Sequence, residues 1–296
     1  MSLAALYDLP APAKLNLFLH VIGRRADGYH LLQSPFVLID WCDSLHLERR
    51  VDGGLHRHDL GPALPADDLC LRAARLLQAE SGCPLGVDIS IHKRLPSGAG
   101  LGGGSSDAAT VLLGLNHLWG LHWPRQRLLA LGARLGADVP FFIGGHNAFV
   151  EGIGEQLSPI DVPRQWYAVV KPPTSLPTAQ IFSHPALTRD TEAVIVAGSF
   201  DDAQRALVWQ SWASGFGKND LQAPAEAQCA EVAQAARWLQ ARFGNSRMTG
   251  SGSAVFARAG TGDLPTATFP VQQLAPGWEG RMCRGLASHP LAGWAD

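Results

Sequence analysis

The chain has 296 residues, of which 46% are hydrophobic and 17% charged, and its formal net charge is −2. This composition is typical of a soluble globular protein with one large core or two moderate ones, and we favour two. A weakly acidic chain lacks the basic face that nucleic acid or an anionic membrane requires, so we expect neither as the main partner.

The five cysteines are scattered and show no CxxC spacing. We therefore expect reduced thiols, a cytoplasmic location and no zinc site. The chain does not open with a basic region and an apolar core, and no apolar stretch approaches the ~18 residues of a membrane span, so we expect neither a signal peptide nor a span. The sequence leaves the oligomeric state open.

Residues 13–21 alternate in a pattern that predicts the first strand. Its apolar side chains would face the core, which leaves Lys14 and Asn16 side by side on the open face, where a lysine is usually only solvated. The Asp-Gly pair at residues 27–28 predicts a hairpin turn. The next predicted elements are strands at 36–39 and 44–51, a polar surface loop at 53–65, a helix at 68–79 and a strand at 87–91.

Residues 92–110, HKRLPSGAGLGGGSSDAAT, are the most informative stretch. Repeated glycines allow positive φ and a close approach to a bound group, and Ser105 or Ser106 could cap the apolar helix that follows. A glycine loop that opens a helix directs unpaired N–H groups and the positive end of the helix dipole at one point. We interpret it as a phosphate site rather than a plain turn, because the preceding strand, the cap and the helix all agree.

Two other phosphate motifs fit this loop poorly. Gly98, Gly100 and Gly103 form a GxGxxG pattern, but a Rossmann site also requires an acidic residue about 20 positions later. No acidic residue lies between Asp107 and Asp138. A Walker A loop is excluded because no Gly-Lys-Ser/Thr follows the glycines, so we expect main-chain amides and hydroxyls to hold the phosphate.

Beyond a helix predicted from Pro124 to Gly136, Asp138 stands between a glycine and a Val-Pro pair. A carboxylate in this position is either a helix cap or a tuned acid or base, and position alone favours the cap. The second half carries a linker at 157–164, strands at 166–170 and 281–284, and helices ending at Phe182, at 203–213 and at 226–243. Its glycine turn at 248–253 is either a tight turn or a second nest of amides facing the first loop.

Four segments together, PAKLNLFLHVIGRRADGYH, LPSGAGLGGGSSDAA, GADVPFFIGG and TGSGSAVFA, resemble the galactokinase, homoserine kinase, mevalonate kinase and phosphomevalonate kinase (GHMP) superfamily. The resemblance implies an α+β fold with two domains and an active site in the cleft between them. Residues 1–160 would form the ATP-binding domain, like domain 2 of ribosomal protein S5, and residues 161–296 a ferredoxin-like domain. Within the superfamily, the AKLNL and DGYH segments resemble kinases that act on a cytidyl-linked alcohol.

That resemblance implies transfer of the ATP γ-phosphate to the 2-hydroxyl of a cytidine-diphosphate-linked methylerythritol. It places catalysis on Lys14 and Asp138, with Asn16 beside the lysine in the substrate site. The family's loop match gives the ATP-binding residues as Pro96, Ser97, Gly98, Ala99, Gly100, Leu101, Gly102, Gly103, Gly104, Ser105 and Ser106. Mg²⁺ is expected with ATP, because transfer requires neutralised phosphate charge.

The same resemblance implies a cytosine site in which Tyr29 stacks and His30 hydrogen-bonds, with Thr178 and Phe182 on the second-domain side. One position departs from the family pattern: Asp68 stands where an asparagine is expected, which puts a contact with the nucleotide base in doubt. The alternatives are a Rossmann oxidoreductase, a non-enzymatic module that has kept the fold, or a kinase of another small alcohol such as mevalonate or homoserine. The retention of both Lys14 and Asp138 argues against the decayed module.

Overall fold

The computed structural model describes residues 3–195 and 201–295, and within them the chain forms two sheets flanked by helices. The strands are β1 (Ala5–Asn16), β2 (His20–Arg24), β3 (His30–Arg50), β4 (Leu55–Asp59), β5 (Gly86–His92), β6 (Ala148–Glu151), β7 (Gln156–Pro159), β8 (Trp166–Lys171), β9 (Arg247–Met248), β10 (Val255–Arg258) and β11 (Glu279–Arg284). The helices are α1 (Leu69–Ser81), α2 (Gly103–Leu118), α3 (Arg125–Ala133), α4 (Val139–Gly144), α5 (Thr178–Ser183), α6 (Asp202–Ala213), α7 (Gln222–Gln228) and α8 (Ala230–Phe243).

The first sheet has seven strands in the order β4-β5-β3-β6-β7, with β1 and β2 also paired to β3. The 21-residue β3 joins two predicted strands into one. Along it, β2 and β6 pair with residues 30–36, β1 with residues 36–48 and β5 with residues 44–50. Helix α2 packs against this sheet and is buried on nearly all sides. It therefore holds the glycine loop before it in a fixed place.

The second sheet is antiparallel, with the order β11-β8-β10-β9 and with α8 packed on it. After β11 the chain returns to the first sheet, where Leu286 N donates to Leu38 O at 2.8 Å and Leu291 enters the first core. The α+β prediction is confirmed, and the domain division at residue 160 stays a prediction. Within the described ranges, no helix is long and apolar enough to cross a membrane.

The first predicted strand differs from the observed one in two respects. It is interrupted at residues 17–19, between β1 and β2. Lys14 and Asn16 are both buried, so their placement on an open face was wrong. Alternation reveals only which side chains share a face, and here the glycine loop and the turn at 248–253 cover the face that carries Lys14 and Asn16.

Three further predictions about elements were wrong. Part of the polar loop at 53–65 is β4, which pairs in parallel with β5. The helix predicted at 226–243 is divided by the extended backbone of Cys229 into α7 and α8. Neither Ser105 nor Ser106 caps α2, because Gly102 takes the left-handed conformation at the N-cap and α2 already begins at Gly103.

Candidate active site

The glycine loop turns by three positive φ angles, 62° at Gly98, 73° at Gly100 and 73° at Gly102. A β-carbon at Gly100 would lie 2.3 Å from Thr249 O, so a side chain there would force the neighbouring turn away. The loop therefore needs glycine both for its conformation and for close packing. It delivers the chain directly into α2, whose first N–H groups have no partners within the helix.

The second glycine turn, residues 248–253, packs directly on the glycine loop. Ser253 N donates to Gly98 O at 3.3 Å and Ala254 N donates to Ala99 O at 3.1 Å. Of the two alternatives for this turn, its contacts with the first loop favour the one in which it faces that loop. The glycine loop and this turn are about 150 residues apart in the chain, and together they form one unit, which we call the double-turn site.

Lys14 lies under the glycine loop, and its main-chain N donates to Leu101 O at 3.0 Å. Its Nζ lies 2.7 Å from Asn16 Oδ1, 3.6 Å from Asp138 Oδ2 and 4.3 Å from the centre of the Phe36 ring. Burial lowers the pKa of this ammonium, and the charge of Asp138 opposes that effect. Lys14 and Asp138 therefore meet as an ion pair although 124 positions separate them.

Asp138 stands at the start of α4, but its side chain makes no capping hydrogen bond. The side chain is instead directed at Lys14 and is 31% exposed to the adjoining cavity. The cap interpretation that position alone favoured is therefore wrong. A carboxylate held by a buried cation at a cavity wall suits an acid, base or orienting role.

Asn16 connects Lys14 to the second glycine turn. Its Oδ1 accepts from Gly250 N at 2.9 Å and from Thr249 Oγ1 at 3.2 Å as well as from Lys14, and its Nδ2 donates to Ser34 Oγ at 2.8 Å. These contacts hold the lysine in place. Direct contact between Asn16 and substrate stays a prediction.

Two cavities meet at the glycine loop. The loop cavity, of 360 Å³, is lined by Leu64, Pro65, Asp68, Leu69, Lys93, Asp107 and the chain from Leu95 to Ser105. The cleft cavity, of 430 Å³, is lined among others by Lys14, Asn16, Tyr29, His30, Phe36, Asp138, Thr178, Phe182 and Ser251. Both include Gly98, Gly100 and Gly102, so the loop is their common wall.

The predicted loop residues all lie at this wall except Ser106. Its side chain is fully buried in α2, and its Oγ has no hydrogen-bond partner among the described residues. Asp68, which also lines the loop cavity, caps α1 by accepting from Leu71 N at 3.1 Å and pairs with Arg57 at 2.9 Å.

The predicted cytosine residues gather at one end of the cleft cavity. The His30 and Phe182 rings stack at 5.2 Å and 28°, and the Tyr29 side chain is 62% exposed at the cavity edge. Thr178 Oγ1 lies 2.8 Å from Ser251 Oγ of the second glycine turn. The pKa of His30 is lowered by burial and then by the charges of Arg189 and Arg24.

A buried charged cluster beneath the loop was missed. Lys93 pairs with Asp43 and, at 2.6 Å, with Asp107, while Asp43 Oδ1 also accepts from Leu95 N at 2.7 Å. Burial raises the pKa of Asp107 to about 8. The lysine beside the loop was visible in the sequence, but its two partners come from different elements and no local pattern marks them.

Arg189 was also missed. It contacts His30 at the aromatic end of the cleft cavity, its Nε donating to His30 Nε2 at 3.2 Å. Arg189 lies outside the four segments that resemble the GHMP superfamily, so no sequence pattern was a reason to select it.

Comparison with known proteins agrees with this geometry. Residues 68–146 match the GHMP kinases N terminal domain. The fold is similar to that of homoserine kinase from Cytophaga hutchinsonii, with a TM-score of 0.66 over 98% of this chain and 96% of the other at 16% identity. The fold and the double-turn site together define a small-molecule kinase of the GHMP class.

Relatives of higher sequence identity indicate the family within this class. The chain is 65% identical, over all of both chains, to the 4-diphosphocytidyl-2-C-methyl-D-erythritol kinase of Methylibium petroleiphilum. It is 34% identical to a solved 4-(cytidine 5'-diphospho)-2C-methyl-D-erythritol kinase, with a TM-score of 0.72 over 94% of this chain and 99% of that one. The chain belongs to the 4-diphosphocytidyl-2-C-methyl-D-erythritol kinase family.

Proposed function

We propose that the protein transfers the γ-phosphate of ATP to the 2-hydroxyl of 4-(cytidine 5'-diphospho)-2-C-methyl-D-erythritol. One observation supports this most strongly: the glycine loop is the common wall of two cavities, and the Lys14–Asp138 pair lies in the cavity that has the aromatic end. A phosphoryl group held at such a wall can pass from a donor on one side to an acceptor on the other. Phosphoryl transfer requires mainly this kind of positioning together with charge stabilisation.

ATP would occupy the loop cavity, with its phosphates on the main-chain amides of residues 96–106 and at the start of α2. The 16-residue α2 supplies unpaired N–H groups and a dipole that favour an anion. The lining of this cavity also includes the apolar side chains of Leu64 and Leu69 and the carboxylate of Asp68. We place the adenine there, next to a carboxylate that is already used as a helix cap.

Magnesium would arrive with ATP. Magnesium bound with a nucleotide is usually held by substrate phosphates and water together with one or two protein oxygens. Ser105, at the start of α2, lines the loop cavity and offers a hydroxyl oxygen to the bound magnesium nucleotide, whereas Ser106 does not line that cavity. The ion would neutralise phosphate charge during transfer.

Asp138 would accept the proton of the attacking 2-hydroxyl, or orient that hydroxyl, as its bond to the γ-phosphorus forms and the bond to ADP breaks. Lys14 keeps the carboxylate ionised and offsets negative charge on the transferred group. Because Asn16 and the Leu101 carbonyl hold both ends of Lys14, the cation is preorganised before substrates bind.

The cytidyl group would bind at the aromatic end of the cleft cavity. Tyr29 and Phe182 offer faces for stacking, and His30 offers a ring nitrogen for the base edge. Thr178 Oγ1 lies between this end and the second glycine turn, where it could meet the diphosphate.

The test is product analysis. The protein, Mg²⁺ and ATP are mixed with the cytidyl-linked methylerythritol and followed by ³¹P NMR. We expect ADP and one new phosphomonoester on the 2-position, and no ADP from an analogue without the 2-hydroxyl. Phosphate at another position, or ADP released equally with the deoxy analogue, would refute the assignment.

A further inference from the structure

The side chain of Arg189 lies behind the aromatic end of the cleft cavity. Its Nη2 donates to the carbonyl oxygens of Phe182 at 3.2 Å and His184 at 3.0 Å, and its Nη1 donates to Leu187 O at 3.1 Å. Its Nε donates to His30 Nε2 at 3.2 Å. One guanidinium thus binds the chain around the end of α5 and one nitrogen of the imidazole.

This contact determines which nitrogen of His30 carries the proton. A guanidinium has only N–H donors, so His30 Nε2 must accept and the proton of the neutral ring must sit on Nδ1. Within residues 3–195 and 201–295, His30 Nδ1 has no hydrogen-bond partner. Since His30 lines the cleft cavity and stacks on Phe182, its Nδ1–H is the free polar group of a fixed ring.

We propose that Arg189 is a positioning residue that keeps His30 in the Nδ1–H tautomer and thereby makes the cleft cavity select cytosine over uracil. The ring N3 of cytosine is an acceptor, whereas the N3 of uracil carries a hydrogen. His30 Nδ1–H can only donate, so it can form a hydrogen bond with N3 of cytosine but not with the N3–H of uracil. This inference rests on the cytidyl site of the proposed function and adds the residue that makes the site selective.

The test compares Arg189→Gln with Arg189→Lys. A glutamine amide can offer His30 either a donor or an acceptor, so it does not fix the tautomer, whereas lysine offers only donors. Both changes remove the planar fork that binds the carbonyl groups near α5. Comparing the two variants therefore distinguishes a role of Arg189 in fixing the His30 tautomer from a role in supporting the α5 segment.

Binding of CDP and of UDP to each protein is measured by calorimetry without ATP. We expect the wild type to bind CDP at least about tenfold more tightly than UDP. The preference should fall to within about threefold in Arg189→Gln and be largely kept in Arg189→Lys, as expected for one discriminating hydrogen bond. His30→Ala should also lose the preference, and adding Arg189→Gln to it should reduce the preference no further.

Three results would overturn the inference: a preference kept in Arg189→Gln, a preference lost in both Arg189 variants, or a preference kept in His30→Ala. Equal weakening of CDP and UDP in both Arg189 variants would mean that Arg189 only supports the α5 segment. Should Arg189→Gln fail to fold, Arg189→Met replaces it, because methionine offers His30 no donor; the preference should fall there too, and a preference kept in Arg189→Met would overturn the inference. The readout needs no turnover, so an absence of phosphoryl transfer would refute the proposed function separately.

Discussion

The two cavities that share the glycine loop are built in different ways. The loop cavity is formed mostly by one continuous stretch, from Lys93 to Asp107, and by main-chain atoms. The cleft cavity is formed by side chains from β1, the β2–β3 hairpin, α4, α5 and the second glycine turn. A site for a common group such as phosphate can thus be encoded locally, whereas a site for a particular acceptor depends on how distant segments fold together.

The largest loss of turnover is expected from a change at Asp138. Asp138→Asn keeps the shape of the side chain but removes its charge, so turnover should fall about 10² to 10⁴-fold, the range for a positioned acid or base. ATP binding should change little, because the loop cavity does not include Asp138. Steady-state kinetics and ATP calorimetry check both parts, and unchanged turnover would remove Asp138 from the mechanism.

The next largest loss of activity is expected from a change in the glycine loop, which is the common wall of the two cavities. In Gly100→Ala the new methyl group would meet Thr249 O, so the two glycine turns must separate and both cavities should be damaged. We expect kcat/KM for ATP and for the acceptor each to fall about 10²-fold, because small misplacements of reacting groups are costly.

Gly82→Ala is the matched control for that change. Gly82 has a similar φ of 65°, but nothing lies within 4 Å of a β-carbon there. It should lower the free energy of unfolding by about 1 kcal/mol through backbone strain alone, with kinetics unchanged. If the two variants were equally active, packing between the turns would not matter.

A change confined to the cleft cavity should affect one substrate only. Tyr29→Ala removes a stacking face, so KM for the cytidyl substrate should rise about 10- to 100-fold while KM for ATP stays the same. Tyr7→Ala is the control, since Tyr7 is comparably exposed, at 60%, but lines neither cavity. Equal weakening of both substrates would argue against the pocket assignment.

The smallest effect on catalysis is expected at Asp107, in the charged cluster at the wall of the loop cavity. The pKa of Asp107 is about 8 in the folded protein against 3.8 for the free group, so the folded state holds a proton that the unfolded chain has lost between those values. Stability from this group is therefore greatest at low pH, and it declines by up to about 1.4 kcal/mol per pH unit as the pH rises towards 8.

Asp107→Asn should remove that decline and leave KM for the cytidyl substrate unchanged. Urea unfolding at several pH values measures the slope. Parallel pH profiles for the wild type and the variant would show that Asp107 does not hold the proton.

The sequence predicted the elements whose signals are local. Helix α1, strand β5, the hairpin at residues 27–28 and the glycine loop before α2 were all predicted. The α+β class, the kinase class and the family followed from four segments in order, and the comparisons confirm them. These features depend on glycine conformation, alternation and motif, which a chain carries in short stretches.

The predictions that were wrong, and the residues that were missed, concern positions that are determined by tertiary contacts. Alternation could not reveal that Lys14 and Asn16 are covered by two turns from elsewhere in the chain. Position could not reveal that the Asp138 side chain leaves its helix terminus to meet a lysine. Arg189 carries no local signal, because its role exists only through a ring 159 positions away.

The most direct test of the shared-wall account is ADP release with a panel of acceptors: the cytidyl-linked methylerythritol, the same alcohol without its cytidyl group, mevalonate and homoserine. Because the acceptor must be held from the aromatic end of the cleft cavity to Asp138, we predict rapid release only with the cytidyl-linked compound, and loss of that release in Asp138→Asn. Comparable release with mevalonate or homoserine, or full release by Asp138→Asn, would contradict the account.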